Sequence, residues 1–76
     1  MNWHRYPETK PKLVKDFPPY YYSEQVLFTD GKHRWLGYFV VFKDQYDREE
    51  TWKEAGRDGY TVDEKITHWM EAPELP

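Results

Sequence analysis

The sequence predicts a mainly β protein: a small antiparallel sheet or partly open barrel, with room for one short helix near residues 47–55. Three observations carry this expectation. Asp30-Gly31 lies between the apolar and aromatic runs Gln25–Thr29 and Lys32–Phe42, and such a dipeptide tolerates the positive φ that hairpin turns require. Aromatic residues make up 20% of the 76-residue chain, with four Trp and seven Tyr. Each large ring can bury on the order of 150–250 Å², which gives a small core its substance. Prolines at 7, 11, 18 and 19 interrupt any helical pattern in the first quarter of the chain.

A chain of this length makes one domain, residues 1–76, and buries only about 60% of its unfolded surface. Residues 1–23 read as an extended segment packed on the sheet, pinned by Trp3, Tyr6 and Phe17. A recognition arm is the rival reading. Pro18-Pro19-Tyr20-Tyr21-Tyr22 reads as polyproline-like chain leading into a strand. Residues 24–76 form the β-rich core.

Along the second strand of the hairpin, Trp35, Gly37, Phe39 and Val41 share one face, and Leu36, Tyr38, Val40 and Phe42 the other. Both faces are apolar toward its C-terminal end, so this strand is central or covered on its second side by the N-terminal segment. Gly37 marks a bulge or a close approach of other chain. The stretch 43–50 is the most polar and reads as mobile.

Beyond it the pattern divides. Asp47, Glu50 and Gly56 form an N-cap, capping-box partner and stop for a helix over 48–55. Its apolar stripe is only Trp52 and Ala55, and a strand over 50–54 competes on equal terms. Asp58-Gly59 is a second turn signal. Lys65–Met70 reads as a closing strand, with Ile66, His68 and Met70 on one face and Thr67 and Trp69 on the other, ended by Pro73 and Pro76.

Composition excludes several chemistries. There is no cysteine, hence no disulfide or Cys-based zinc site. The net charge of −3 lacks the basic stripe of a nucleic-acid binder. No segment approaches the roughly 20 apolar residues of a membrane helix, and "MNWHRYPETK" lacks a signal-peptide core. A cytoplasmic protein that contacts neither membrane nor nucleic acid is expected.

Catalytic patterns are likewise missing. The lone Ser23 has no triad spacing. His4, His33 and His68 lack the short spacings of zinc motifs, so neither a metal nor a cofactor is expected.

Binding residues are more legible. Lys32, His33 and Arg34 form a compact basic patch beside Trp35 and Tyr38. This patch either holds a phosphate-bearing ligand, most naturally at a subunit seam, or is an ordinary solvated hairpin tip. In Ile66-Thr67-His68-Trp69-Met70, Trp69 reads as core, together with Trp3 and Trp52. Thr67 and His68 either satisfy backbone groups or belong to a binding surface. Surplus rings at Tyr20, Tyr21, Tyr22 and Tyr46 fit interface hot spots or stacking platforms.

The opening Trp3 and Tyr6-Pro7-Glu8, the central Val26-Leu27 and Gly37-Tyr38, and the ending Thr67-His68-Trp69-Met70 stand together. In these the chain resembles the small phage and prophage proteins grouped as domain-of-unknown-function family 551. The resemblance spans most of the chain outside Lys12–Tyr22. The family's usual Pro-Leu after Met is Glu71-Ala72 here.

The resemblance implies a phage or mobile-element origin and a compact β-rich fold. It tilts the middle stretch toward strand, with Trp52 in the core, and supplies no reaction. The expected function is therefore a non-enzymatic phage-derived module that binds a host or defence protein. The alternative is a protein that sequesters a nucleotide-derived small molecule. Either could act as a homodimer or higher homo-oligomer.

Overall fold

The structure is a computed structural model that describes residues 2–56 and 60–72. The Asp58-Gly59 turn signal and the terminal Pro73 and Pro76 lie outside the described residues. Eight strands form one curled antiparallel sheet, a half-barrel: β1 (His4–Arg5), β2 (Leu13–Phe17), β3 (Tyr20–Ser23), β4 (Val26–Thr29), β5 (Arg34–Lys43), β6 (Arg48–Glu54), β7 (Thr61–Val62) and β8 (His68–Glu71). The path β1-β8-β4-β5-β3-β2 is completed by β6, which pairs with the other edge of β5 and carries β7.

The ten-residue β5 is the spine. One edge of it pairs with β4 at its start and β3 at its end, and the other pairs with β6 from Gly37 to Lys43. Between β3 and β4 the ladder is broken, and Ser23 mends it. Its Oγ accepts the Phe39 N–H at 3.0 Å and donates to the Glu24 carbonyl at 2.7 Å. A buried N–H left unpaired there would be costly, which explains a serine that is 1% exposed.

Alternation along β5 separates two faces, as the sequence implies. The inner face carries Val26, Phe28, Phe39, Val41, Trp52, Val62, Ile66 and Trp69, joined by the partly buried Tyr6, Leu13 and Trp35. Rings dominate it. Trp52 lies 4.8 Å from Phe28, 4.9 Å from Phe39 and 5.1 Å from Tyr6 between ring centres. Such pairs add about 0.5–1.5 kcal/mol each beyond the area they bury. Trp69 donates from Nε1 to the Thr9 carbonyl at 2.8 Å, and its ring lies 4.4 Å from that of His4 at a tilt of 40°. This ties the N-terminal turn to the closing strand.

Gly37 is explained by close approach. A Cβ there would stand 1.9 Å from the Lys53 carbonyl oxygen.

Several sequence expectations require correction. The stretch 47–55 holds no helix: β6 occupies Arg48–Glu54, and no helix occurs among the described residues. Seven paired positions on β5 and an inward Trp52 outweigh a thin helical stripe. The capping residues serve otherwise. The Asp47 N–H donates to Asp44 Oδ1, closing a hydrogen-bonded turn in the polar stretch, and Glu50 takes ion pairs.

Residues 13–23 do not lie over the sheet. They extend it as the β2–β3 hairpin, with Phe17 opposite Tyr20 across Pro18-Pro19. Only Tyr6 of the expected pins reaches the core. Trp3 is not core but 38% exposed, and Phe17 is 65% exposed. Four residues, Asp30 to His33, rather than two, join β4 to β5, with Gly31 at φ 99°. The closing strand starts at His68, and Ile66 turns inward with Trp69, because the Thr67 N–H is spent on the Thr29 carbonyl.

Candidate functional site on the outer face

Cross-strand registry assembles the outer face row by row. Arg34 lies opposite Thr29, Thr29 opposite His68, and His68 opposite Arg5. In the next row Leu36 faces Leu27, and Leu27 faces Met70. Farther along β5, Tyr38 faces Lys53, and Val40 faces both Thr51 and Tyr22, which in turn faces Lys15. The last row joins Phe42, Tyr20, Phe17 and Glu49. This face is thus basic at one end, aliphatic in the middle, and aromatic with lysines at the other.

At the basic end a recess of about 340 Å³ is lined by Trp3, Thr29, Gly31, Lys32, Arg34 and His68. The turn that presents Lys32 is built by side chains. Asp30 Oδ1 accepts the N–H groups of Lys32 (2.8 Å) and His33 (2.7 Å). These backbone bonds, that of His33 foremost, hold the Asp30 carboxyl down to about 2. Thr29 Oγ1 donates to the His33 carbonyl and accepts the Gly31 N–H.

Three of the sequence-predicted residues therefore meet here: Lys32, Arg34 and His68. The others do not. His33 turns its ring to Asp30 and toward Trp35, and Trp35 stacks on Phe28 at the margin of the core. Tyr38 belongs to the opposite end of the face. Thr67 is a structural residue. Its hydroxyl donates to the Thr29 carbonyl at 3.4 Å and lies 3.0 Å from His68 Nδ1, leaving His68 Nε2 without a partner among the described residues.

Trp3 and Arg5 were missed as surface residues. Their i, i+2 spacing already places them on one face of an extended chain. Only the distant β1–β8 pairing reveals which face that is.

At the aromatic end a second recess, about 440 Å³, is lined by Phe17, Tyr22 and Tyr38, with Lys15, Lys53, Glu54, Ala55 and Gly56. Phe17 meets Tyr22 edge-on at 6.0 Å, and Tyr20 packs at 5.4 Å from Phe42. Lys15 and Lys53 carry no sequence signal of a site, and Phe17, expected as a pin on the core, stands on this surface instead. Alternation alone cannot show that a chain-remote strand will lie beside Tyr38.

The inner face opens differently. A recess of about 690 Å³ is lined by Tyr6, Trp52, Glu49, Glu50, Asp63 and Glu64 among others. Burial raises the Glu50 carboxyl, but hydrogen bonds from Lys10 (2.7 Å), Tyr6 (2.8 Å) and Arg48 (3.1 Å) outweigh it and hold the group below its ordinary value. Burial, reinforced by the bond to Glu50, pushes the Tyr6 hydroxyl up to about 12. The Trp52 indole N–H offsets part of that rise without reaching hydrogen-bond geometry, and it is buried with no partner among the described residues.

The three histidines have separate neighbours: His4 is bonded to Glu71 at 3.1 Å, His33 to Asp30, and His68 to Thr67. Among the described residues no three His or acidic side chains gather closely enough to hold a metal ion. No protein-family model matches the chain, and neither a curated protein nor a solved structure matches it.

Proposed function

We propose that this protein is a non-enzymatic binding module that occupies a surface of a host or defence protein in the bacterial cytoplasm. The proposed phage or prophage origin rests on the Thr67-His68-Trp69-Met70 ending and its companion motifs. The observation that carries the binding reading is the aromatic end of the outer face. Phe17 is 65% exposed on β2, beside Tyr20, Tyr22 and Tyr38, and no part of the described chain covers it. Solvated rings gathered on one patch are unusual for a monomer and common at interface hot spots. Lys15 and Lys53 beside the rings select a partner with acidic residues around an apolar side chain.

The test is a pull-down from bacterial lysate with the wild-type chain and with a variant carrying Phe17→Ala, Lys15→Glu and Lys53→Glu. All three changes lie on the surface and leave the core intact. The wild type is expected to retain a specific protein that the variant loses at an unchanged melting temperature. A wild type that recovers nothing above background, or a variant that recovers the same partner, overturns the proposal.

A further inference from the structure

We infer that the recess at the opposite end of this face, between Trp3 and the Lys32–Arg34 pair, binds a small phosphorylated molecule with a planar ring, of the mononucleotide class. This inference stands apart from the protein-docking proposal, because it rests on different residues. Charge is its first support. The chain holds 14 acidic against 11 basic residues, yet this recess is lined by two cations and no carboxylate. Lys10 and Arg48, by contrast, both pair with Glu50. Among the described residues neither Lys32 nor Arg34 has an ion-pair partner.

The nearest acid on the turn does not neutralise them. Asp30 directs one oxygen to the backbone N–H groups of Lys32 and His33 and the other to the His33 ring. The hydroxyl of Thr29 is consumed as well, by Gly31 and His33. The groups left free to bind among the described residues are therefore the Lys32 ammonium, the Arg34 guanidinium and His68 Nε2, with Arg5 farther along the same cross-strand row. A guanidinium matches phosphate oxygens in a bidentate fork, and an ammonium adds a mobile point charge.

The planar half of the ligand follows from Trp3. The β1–β8 register holds this indole at the rim of the recess, where it is left partly solvated. An exposed ring beside unpaired cations is the arrangement that stacks a base while its phosphate is neutralised. The recess of about 340 Å³ falls in the range of small-molecule sites, roughly 300–1,000 Å³. A polyanionic strand fits poorly, because the net charge of −3 gives it no continuing basic path.

The experiment titrates the full chain with ADP, adenosine, inorganic phosphate and a 12-nucleotide oligothymidine, following the indole N–H resonances by NMR and the heat by calorimetry. ADP is expected to saturate and to shift the Trp3 resonance, with adenosine and phosphate each at least tenfold weaker. Combined Lys32→Gln and Arg34→Gln, and separately Trp3→Leu, should each weaken ADP at least tenfold at an unchanged melting temperature. Lys15→Gln with Lys53→Gln should leave binding unaltered. No saturable binding at millimolar ADP, or wild-type affinity in the Lys32/Arg34 variant, overturns the inference. Tighter binding of oligothymidine than of ADP overturns it in favour of a single-stranded nucleic-acid surface.

Discussion

At the mouth of the inner face, the Glu50 carboxylate is met by Lys10, Arg48 and the Tyr6 hydroxyl. On the outer face, Lys32, Arg34 and Arg5 have no ion-pair partner among the described residues. The rings divide in the same way. Trp52 is 5% exposed and surrounded by Phe28, Phe39 and Tyr6, whereas Trp3 is partly solvated and Phe17 largely so. One sheet thus carries a face whose charged groups at its mouth and whose core rings meet one another, and a face that leaves several cations and rings free. The first explains why so short a chain holds together, and the second is where binding is to be sought.

Substitutions that damage the inner face should have the largest effects. Trp52→Ala should destabilise the fold by about 3–5 kcal/mol, from lost burial and the cavity left behind, measured as a shift of the urea midpoint. If the loss is below about 1 kcal/mol, Trp52 is not the centre of the core. Ser23→Ala should cost about 1–3 kcal/mol, because the buried Phe39 N–H loses its acceptor. Hydrogen exchange at that amide should accelerate along with the shift in midpoint.

The Glu50 network makes a smaller prediction and a pH signature. Glu50→Gln should cost about 1–2 kcal/mol near neutral pH. Because the folded-state value of Glu50 is depressed, its contribution is present above the ordinary 4.5 and fades as the pH falls through the folded value. The wild type should therefore lose part of its advantage over Glu50→Gln below pH 4.5. Tyr6 has the opposite sign. Its raised value contributes stability below pH 10, which is lost as the pH climbs toward about 12. Alkaline melts of Tyr6→Phe should lack that loss. A Glu50→Gln melt parallel to wild type across the acid range would show that the network is not the titrating unit.

The smallest effect is expected on the outer face. Lys32→Gln and Arg34→Gln should each change stability by no more than about 0.5 kcal/mol. A larger loss would mean that these cations serve the fold, and the contrast between the faces would weaken.

Much of this was legible in the letters. The β4–β5 hairpin follows from Asp30-Gly31 between apolar runs, and the division of β5 into two faces follows from alternation. Cross-strand pairing then settled what local pattern left even. Residues 48–54 could cap a short helix or extend as a strand, and the free edge of β5 decided for the strand. The basic patch was legible in part. Lys32 and Arg34 stay together, but the four-residue turn takes His33 away to Asp30 and brings in Trp3 and His68 from the two ends of the chain.

The sequence by itself determined the class of fold, the central strand, the absence of thiol chemistry and the aromatic core. These depend on composition and on neighbours within a few residues. Only the tertiary structure decided which tryptophans are core. Trp52 faces inward through its pairing with Phe39 on β5, and Trp69 inward and Trp3 outward because β1 docks on β8 in a register set by residues more than sixty positions apart. No periodicity within two residues of β1 can carry that choice, and the same long-range pairing gathers the candidate site on the outer face.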